Sequence, residues 1–232
     1  MTGERDPYRD FTRTFFDRWS PLYDLFAKPI GFAYRRAVRA AGAAPGRTIL
    51  DLCTGTGEIA IRCALAGAEV TAVDMTPSML ERARGKGRGL GIHFALMDAR
   101  QLAFADATFD AVVLSFALHD MPRFVRPEVL REAARVAREE VIVLDYDPPR
   151  RQPWRKLVVS LISSFESPYF TAFVNDGLER SFAEAGLVAR ATYRPLRGFF
   201  AVNVLPRPKP VPRNAPPRKP KPQQPVPIRR PA

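Results

Sequence analysis

A glycine loop that follows a short apolar run is the first feature of this 232-residue chain that could do chemistry. The stretch reads TILDLCTGTGEIA over residues 48–60, so Asp51 lies four residues before Gly55 and Gly57 opens a helical pattern. Glycine lets a ligand lie against the backbone, and the start of a helix offers free N–H groups. The letters at 55–60 also fit the dinucleotide fingerprint. The loop therefore indicates a nucleotide site and leaves open which nucleotide binds there.

Three aspartates lie at or near the ends of three successive strand-like runs. They are Asp51, Asp74 and Asp98. Open parallel sheets bind ligands at the carboxyl ends of their strands, so we expect these side chains at one edge. An acid that ends the second strand suits a ribose, because a carboxylate accepts hydrogen bonds from both hydroxyls. An acid after the third strand suits an adenine amine, so the set predicts a nucleotide-binding edge.

Two features argue against NAD as the ligand of this edge. In dinucleotide folds the first glycine follows the strand almost directly, whereas here residues 51–54 intervene. The Asp51 carboxylate would repel a pyrophosphate but suits a ligand with an α-ammonium group. In addition, no second mononucleotide-like half follows in the sequence, only a predicted hairpin.

The elements that must position these residues alternate between strand-like and helix-like runs. Strands are predicted at 48–53, 69–74, 92–98, 110–116 and 140–146, and helices at 58–66, 77–84, 122–138 and 177–186. Nearly continuous apolar strands predict a parallel sheet with helices on both faces. Runs at 187–194 and 197–205 are too close for a parallel crossover and predict an antiparallel hairpin. We expect an α/β, Rossmann-like, mostly parallel seven-stranded sheet that ends in this hairpin.

The chain divides into three predicted parts. Residues 1–45 carry aromatic residues at roughly helical spacing, which predicts a packing arm or a helical lid, and residues 46–205 hold the sheet. Residues 206–232 contain 8 Lys and Arg, no acid and 11 of the 23 prolines, which predicts a disordered basic tail. The formal net charge is +12, so most of it lies in this tail. Such a tail suits electrostatic contact with anionic lipid or RNA.

The ends and the cysteines of the chain suggest a compartment. The N-terminus, MTGERDPYRD, lacks the apolar core of a secretory signal, and no apolar run approaches the ~20 residues of a membrane span. Two cysteines make no disulfide framework. We therefore expect a cytoplasmic protein, with peripheral contact to an anionic membrane through the tail as a further expectation.

In its motifs the sequence resembles the class I S-adenosylmethionine (SAM)-dependent methyltransferases over about residues 17–205. ILDLCTGTGEIAI is similar to their first motif, VTAVDMTPSMLERAR to the second, and FALMDARQLAFADATFDAVVLSFALHDMP to the third and fourth together. FFDRWSPLYDLF is similar to the N-terminal segment of the ubiquinone/menaquinone-biosynthesis C-methyltransferases. Cys53 stands where the family pattern D/E-x-G-x-G-x-G has its first glycine, which implies a slightly different turn.

The resemblance implies SAM as the cofactor and a role for each matching residue. It implies that Tyr23 covers the cofactor and that the methionine end is held by Asp51, Gly55, Thr56 and Gly57. It implies that Asp74 binds the ribose, that Met75 lies against the adenine face, and that Asp98 and Ala99 lie at the adenine amine. Ser115 and Phe116 would lie near the methyl group.

Methyl transfer from a sulfonium needs mainly alignment of the reacting atoms and exclusion of water. Methylation of a quinol carbon also benefits from a base, and His119 is the candidate, with a supporting or helix-capping role as the alternative. No Cys/His cluster suggests a metal. The expected acceptor is a small lipophilic molecule, such as a quinol precursor or a lipid head group. Alternatives are an RNA or protein acceptor recruited by the tail, and a scaffold that binds SAM without catalysis.

Overall fold

One seven-stranded sheet forms the centre of the structure, a computed structural model that describes residues 6–16, 30–148, 155–163, 166–195 and 199–208. Its strands are β1 (Thr48–Leu52), β2 (Glu69–Asp74), β3 (His93–Leu96), β4 (Phe109–Ser115), β5 (Ala137–Tyr146), β6 (Ala191–Tyr193) and β7 (Phe200–Pro206). Their order across the sheet is β3-β2-β1-β4-β5-β7-β6. The first five strands pair in parallel, and β7 pairs antiparallel with both β5 and β6.

Helices cover both faces of this sheet. They are α1 (residues 7–16), α2 (Gly31–Ala40), α3 (Glu58–Leu65), α4 (Pro77–Lys86), α5 (Val125–Val136), α6 (Arg155–Ser163), α7 (Phe170–Asp176) and α8 (Leu178–Glu184), with a short 3₁₀ helix at Leu118–Asp120. Helices α2 and α3 pack in the core of one face, and α5, α7 and α8 in the core of the other.

Burial on both faces explains the continuous apolar strands. In β1, Ile49 and Leu50 are both fully buried, but successive side chains point to opposite faces, so they belong to different cores. Burying such a side chain contributes about 1.5–3 kcal/mol relative to leaving it exposed. A polar residue at these positions would therefore disturb the packing of one helical layer.

The predicted fold class is confirmed, including the antiparallel strands at the C-terminal end. Some predicted boundaries were wrong. The helix expected at 122–138 begins at Val125, because the Pro122 carbonyl first accepts turn hydrogen bonds from the Val125 and Arg126 N–H groups. The hairpin connection is also longer than the expected tight turn, since β6 ends at Tyr193 and β7 begins at Phe200.

Several expectations lie partly or wholly outside the described residues. Residues 7–16 and 31–40 are helical, as expected for the N-terminal part, but Tyr23 and residues 209–232 are not described. The division into a lid, a sheet domain and a tail therefore stays a prediction. Among the described residues, no helix has the length and apolar character needed to cross a membrane.

The turn after β1 contains a cysteine in a backbone conformation that favours glycine. Cys53 has φ 59°, in the left-handed region, although its side chain carries a Cβ. For an L-residue this conformation costs ~1–2 kcal/mol. Cys53 thus stands where the motif has glycine and adopts the backbone conformation of a glycine, which is strained for a residue with a Cβ.

We predict that Cys53→Gly is more stable than Cys53→Ala by about 1 kcal/mol. Both variants remove the thiol, but only glycine relieves the strain of the left-handed backbone. The free energy gained in this way exceeds the cost of the extra backbone entropy that glycine loses on folding. Urea unfolding of the two purified variants measures the difference. Equal stabilities, or a more stable alanine variant, would contradict strain at this turn.

Candidate active site

A cavity opens to solvent where β1, β2 and β4 end, and the empty space within it and at its mouth is about 650 Å³. Most of its lining is apolar and includes Leu52, Val73, Met79, Met97, Met121 and Val129. Helix α1 closes one side with Tyr8, Thr12 and Phe16, and the carboxylates of Asp74, Asp98 and Asp120 also face the cavity. The edge can therefore enclose a ligand that is largely apolar and carries positive charge.

The glycine loop forms one wall of this cavity. Gly55 has φ 53°, and a Cβ added there would have no atom within 4 Å, so the loop faces open space at this point. Gly57 lies instead against α4, where an added Cβ would be 3.2 Å from the Ala83 Cβ. Thr56 is buried, and its hydroxyl lies 3.3 Å from the Lys86 Nζ. Gly55 thus lines the cavity, while Thr56 and Gly57 hold the loop in place.

Asp74 joins the loop after β1 to the loop after β2. Its Oδ2 accepts from the Gly55 N–H at 2.9 Å, and its Oδ1 accepts from the Thr76 N–H at 2.9 Å. Burial raises the pKa of Asp74 and outweighs these hydrogen bonds, which stabilise the ionised form and lower the pKa. Each carboxylate oxygen has a second lone pair, so Asp74 can still accept from two hydroxyl groups of a ligand.

Asp51 is placed differently from the other two strand-end acids. It is fully buried and does not line the cavity. Its Oδ2 accepts from the Thr54 hydroxyl at 2.6 Å and from the Ala60 N–H at 2.9 Å, which ties β1 to α3. Burial raises its pKa to about 7. Oδ1 is buried with no hydrogen-bond partner among the described residues. Contact between Asp51 and an ammonium group stays a prediction.

Asp98 lines the cavity but is already paired with two arginines. Arg100 lies 2.7 Å and Arg9 3.0 Å from its Oδ2. Burial would raise the pKa of Asp98, but these partners outweigh it and lower the pKa to about 2. Since Arg9 belongs to α1 and Arg100 also pairs with Asp6, this carboxylate anchors the N-terminal helix over the cavity.

Phe116, the residue after β4, brings an aromatic side chain to the cavity. Phe116 has φ 49°, and its ring packs edge-on against Tyr34, Tyr146 and Phe200. Strained backbone of this kind concentrates at functional sites. Ser115, the last residue of β4, does not line the cavity. Met75 and Ala99 do, after β2 and β3.

His119 lies behind this wall and not in it. It is buried, and its Nδ1 lies 2.8 Å from Asp145 Oδ1. Burial lowers its pKa, but the charges of Asp120, Asp145 and Glu166 outweigh this and hold the pKa well above its ordinary value. His119 does not line the cavity, so a role as base stays a prediction.

Comparison with known proteins identifies the family. A family model described as a methyltransferase domain matches residues 49–140. A demethylmenaquinone methyltransferase from Beutenbergia cavernae is 34% identical over 173 residues, 71% of this chain and 69% of that protein. This chain belongs to the class I SAM-dependent methyltransferases. The resemblance to this family and to its menaquinone-biosynthesis group is thereby confirmed.

Further matches agree with this membership. A demethylmenaquinone methyltransferase from Thermus thermophilus is 37% identical over 145 residues, 58% of this chain and 65% of that protein. This methyltransferase chain thus spans about two thirds of the length of the curated relatives it matches. Magnesium protoporphyrin IX methyltransferase from Synechocystis PCC 6803, solved with bound SAH, has TM-score 0.63 at 19% identity. The match covers 87% of this chain and 100% of that one, and it shows the shared fold.

SAM, the cofactor of class I methyltransferases, fits the cavity of this structure. The open face of Gly55 leaves room for a ligand against the backbone. The carboxylate of Asp74 lines the cavity and is an acceptor of the kind that a diol needs, and no Lys or Arg lies among the described residues that line the cavity. A ligand with a sulfonium and an ammonium group is positively charged where the lining carries carboxylates.

Sequence reasoning missed several residues of this methyltransferase cavity. Tyr8, Thr12 and Phe16 recur every four residues, and this spacing is the signal that could have placed them on one helix face. Asp120 adjoins His119 in the sequence, but only the histidine was singled out. Arg100 lies outside the lining but holds Asp98, and its second ion pair, to Asp6, could not be predicted because it depends on how the N-terminal residues dock.

We predict that Asp74→Ala weakens SAM binding about 10- to 100-fold, because the ligand loses a charged acceptor. Calorimetric titration measures the affinity, and a thermal melt of the variant reports on the loop that Asp74 also holds. Asp106→Asn, which changes an exposed acid outside the cavity, is the matched control and should bind SAM like the wild type. Unchanged affinity in a folded Asp74→Ala protein would refute the assignment.

Proposed function

We propose that this protein transfers a methyl group from SAM to a small lipophilic acceptor, such as a quinol precursor or a lipid head group. The observation that carries the proposal is the mostly apolar cavity at the carboxyl edge of the sheet, with Gly55 and Asp74 on one side and Phe116 and Asp120 on the other. An apolar enclosure favours a lipophilic acceptor over a nucleic acid.

The proposed cofactor pose follows the order of the strands. Asp74 binds the ribose, and Met75, Asp98 and Ala99 contact the adenine. The adenine amine then competes with Arg9 and Arg100 for Asp98. The methionine end lies along the loop that contains Asp51, Gly55, Thr56 and Gly57, and the remaining proposed contacts are Ser115, Phe116 and Tyr23.

The chain's own residues then align the reactants and exclude water. When bound, SAM supplies a methyl group on a sulfonium with a neutral leaving group. Tyr8, Thr12 and Phe16 of α1 cover the cavity and limit the entry of water, which is how we propose the N-terminal part acts as a lid. Phe116, Ala117 and Met121 offer an apolar surface against which a flat acceptor can be oriented.

The relatives support a quinone-like acceptor. Those in Thermus thermophilus and Beutenbergia cavernae are named demethylmenaquinone methyltransferases, and one in Nostoc sp. is named a 2-phytyl-1,4-naphtoquinone methyltransferase. The Nostoc protein is 28% identical, with 72% of this chain and 82% of that protein covered. A reduced naphthoquinone that lacks one ring methyl is therefore the first acceptor to test.

The expected result with SAM labelled at the methyl group is transfer of label to a reduced demethylated naphthoquinone by the purified protein. Parallel incubations with total RNA and with a protein extract test the alternative acceptors. Asp74→Ala should lose most of the transfer, and Asp106→Asn should retain it. Label in RNA or protein but not in lipophilic products would contradict the proposed acceptor class. SAM binding without transfer to any fraction would favour a non-catalytic scaffold.

We propose further that the protein is cytoplasmic and that its basic tail brings it to anionic membranes, where lipophilic acceptors reside. Residues 209–232 carry seven Lys and Arg and no acid. Each such residue near an anionic surface contributes ~1 kcal/mol. A deletion should begin after residue 208, because the Arg207 N–H still donates to the Glu139 carbonyl at 2.7 Å.

Deletion of residues 209–232 should weaken binding to vesicles that contain phosphatidylserine and leave SAM affinity unchanged. Vesicle sedimentation and calorimetry measure the two quantities, and vesicles of neutral lipid are the control. Equal sedimentation of the full-length and shortened proteins with anionic vesicles would exclude tail-mediated attachment.

A further inference from the structure

Three side chains that can bind a metal ion converge beside the part of the cavity that Phe116 lines. They are His119 and Asp120, in the 3₁₀ helix after β4, and Glu166, in the segment before α7. His119 Nε2 lies 3.3 Å from Asp120 Oδ2 and 3.3 Å from Glu166 Oε2. One atom from each of the three residues lies within 4.8 Å of the others.

These distances suit ligands of one cation better than a direct ion pair. Charge-assisted N–H···O⁻ bonds are usually ~2.7–2.9 Å long, so both 3.3 Å separations are long. Two atoms that each lie about 2.1 Å from a metal ion are roughly 3.0–3.4 Å apart at octahedral or tetrahedral angles. Both separations from Nε2 therefore match those of two ligands on one ion.

A set of hydrogen bonds already orients the cluster. Asp145 Oδ1 lies 2.8 Å from His119 Nδ1, and its Oδ2 accepts from the Leu118 N–H at 2.9 Å. When Nδ1 donates its proton to Asp145 and a metal ion displaces the proton on Nε2, the Nε2 lone pair is directed toward Asp120 and Glu166. Tyr146 donates its hydroxyl to Glu166 Oε1 at 2.8 Å. Metal-binding histidines almost always donate their other N–H to a carboxylate or carbonyl in this way.

The cluster also contains more carboxylates than cationic groups that could neutralise them. Asp120, Asp145 and Glu166 surround a single imidazole, and the side chains of Asp120 and Asp145 are only 7% and 1% exposed. Arg126, which acts electrostatically on Asp145, forms its own ion pair with Asp176. Asp120 Oδ1 is buried and has no hydrogen-bond partner among the described residues. Buried, uncompensated carboxylates cost several kcal/mol, and a divalent cation removes that cost.

We propose that His119, Asp120 and Glu166 bind one divalent first-row transition metal ion. One imidazole nitrogen with carboxylate oxygens suits Mn²⁺, Fe²⁺ or Zn²⁺ better than the soft ions that thiolates select. Because Asp120 also lines the cavity, a ligand in the cavity would have access to the ion from that side. The role of the ion rests on the proposed function: the ion binds a hydroxyl or enolate oxygen of the acceptor and fixes it beside the methyl group. His119 is then a metal ligand and not the base.

Direct metal binding tests the proposal without knowledge of the acceptor. The full-length protein is freed of metal with a chelator and titrated with Mn²⁺, whose free concentration is followed by electron paramagnetic resonance. We expect saturable binding of one Mn²⁺ per chain and displacement by Zn²⁺. Glu166→Gln, at a partly exposed side chain, should weaken Mn²⁺ binding at least ~10-fold. Glu179→Gln, which changes an exposed acid on α8, is the control and should bind like the wild type.

Two results would overturn the cation site. One is the absence of saturable binding of both Mn²⁺ and Zn²⁺ to the wild-type chain, which needs no variant to fold. The other is equal Mn²⁺ affinity in the wild type and in a Glu166→Gln protein with an unchanged melting profile. Calorimetry with SAM on the same samples separates the two proposals. SAM binding without metal binding removes the cation site alone, and metal binding without SAM binding removes the proposed function alone.

Discussion

The geometry of this site depends on one carboxylate that joins two loops. Asp74 accepts the Gly55 N–H with one oxygen and the Thr76 N–H with the other, both at 2.9 Å. These bonds fix the glycine loop after β1 against the end of β2, and residues of both line the cavity. The same carboxylate lines the cavity, so the group that shapes the site also faces it.

Negative charge around an apolar cavity connects the structure to its proposed chemistry. Asp74 and Asp98 lie on one side, and Asp120 on the other borders a buried cluster with His119 and Glu166. Such a cavity disfavours pyrophosphate and favours a cationic cofactor, which agrees with membership in the SAM-dependent methyltransferases. Its apolar walls disfavour water near a bound ligand. Methyl transfer from a sulfonium mainly requires that the reactants are aligned and that water is excluded.

The sequence predicted the scaffold well, because its signals are local. Continuous apolar runs such as residues 110–116 marked buried parallel strands, and the short link before β7 marked the antiparallel hairpin. The position of Asp74 and Asp98 at the cavity followed from the rule for strand ends. What could not be predicted depends on long-range docking. Asp51 is buried beneath the loop, Arg9 of α1 reaches Asp98, and Glu166 approaches His119 only once α6 and α7 are packed.

The most direct test of the account is the choice of nucleotide by the full-length protein. Parallel calorimetric titrations with SAM and with NAD measure it, without an acceptor and without a variant. The account predicts saturable binding of one SAM per chain and no detectable binding of NAD. Binding of NAD in preference to SAM, or binding of neither, would contradict the assignment of this cavity.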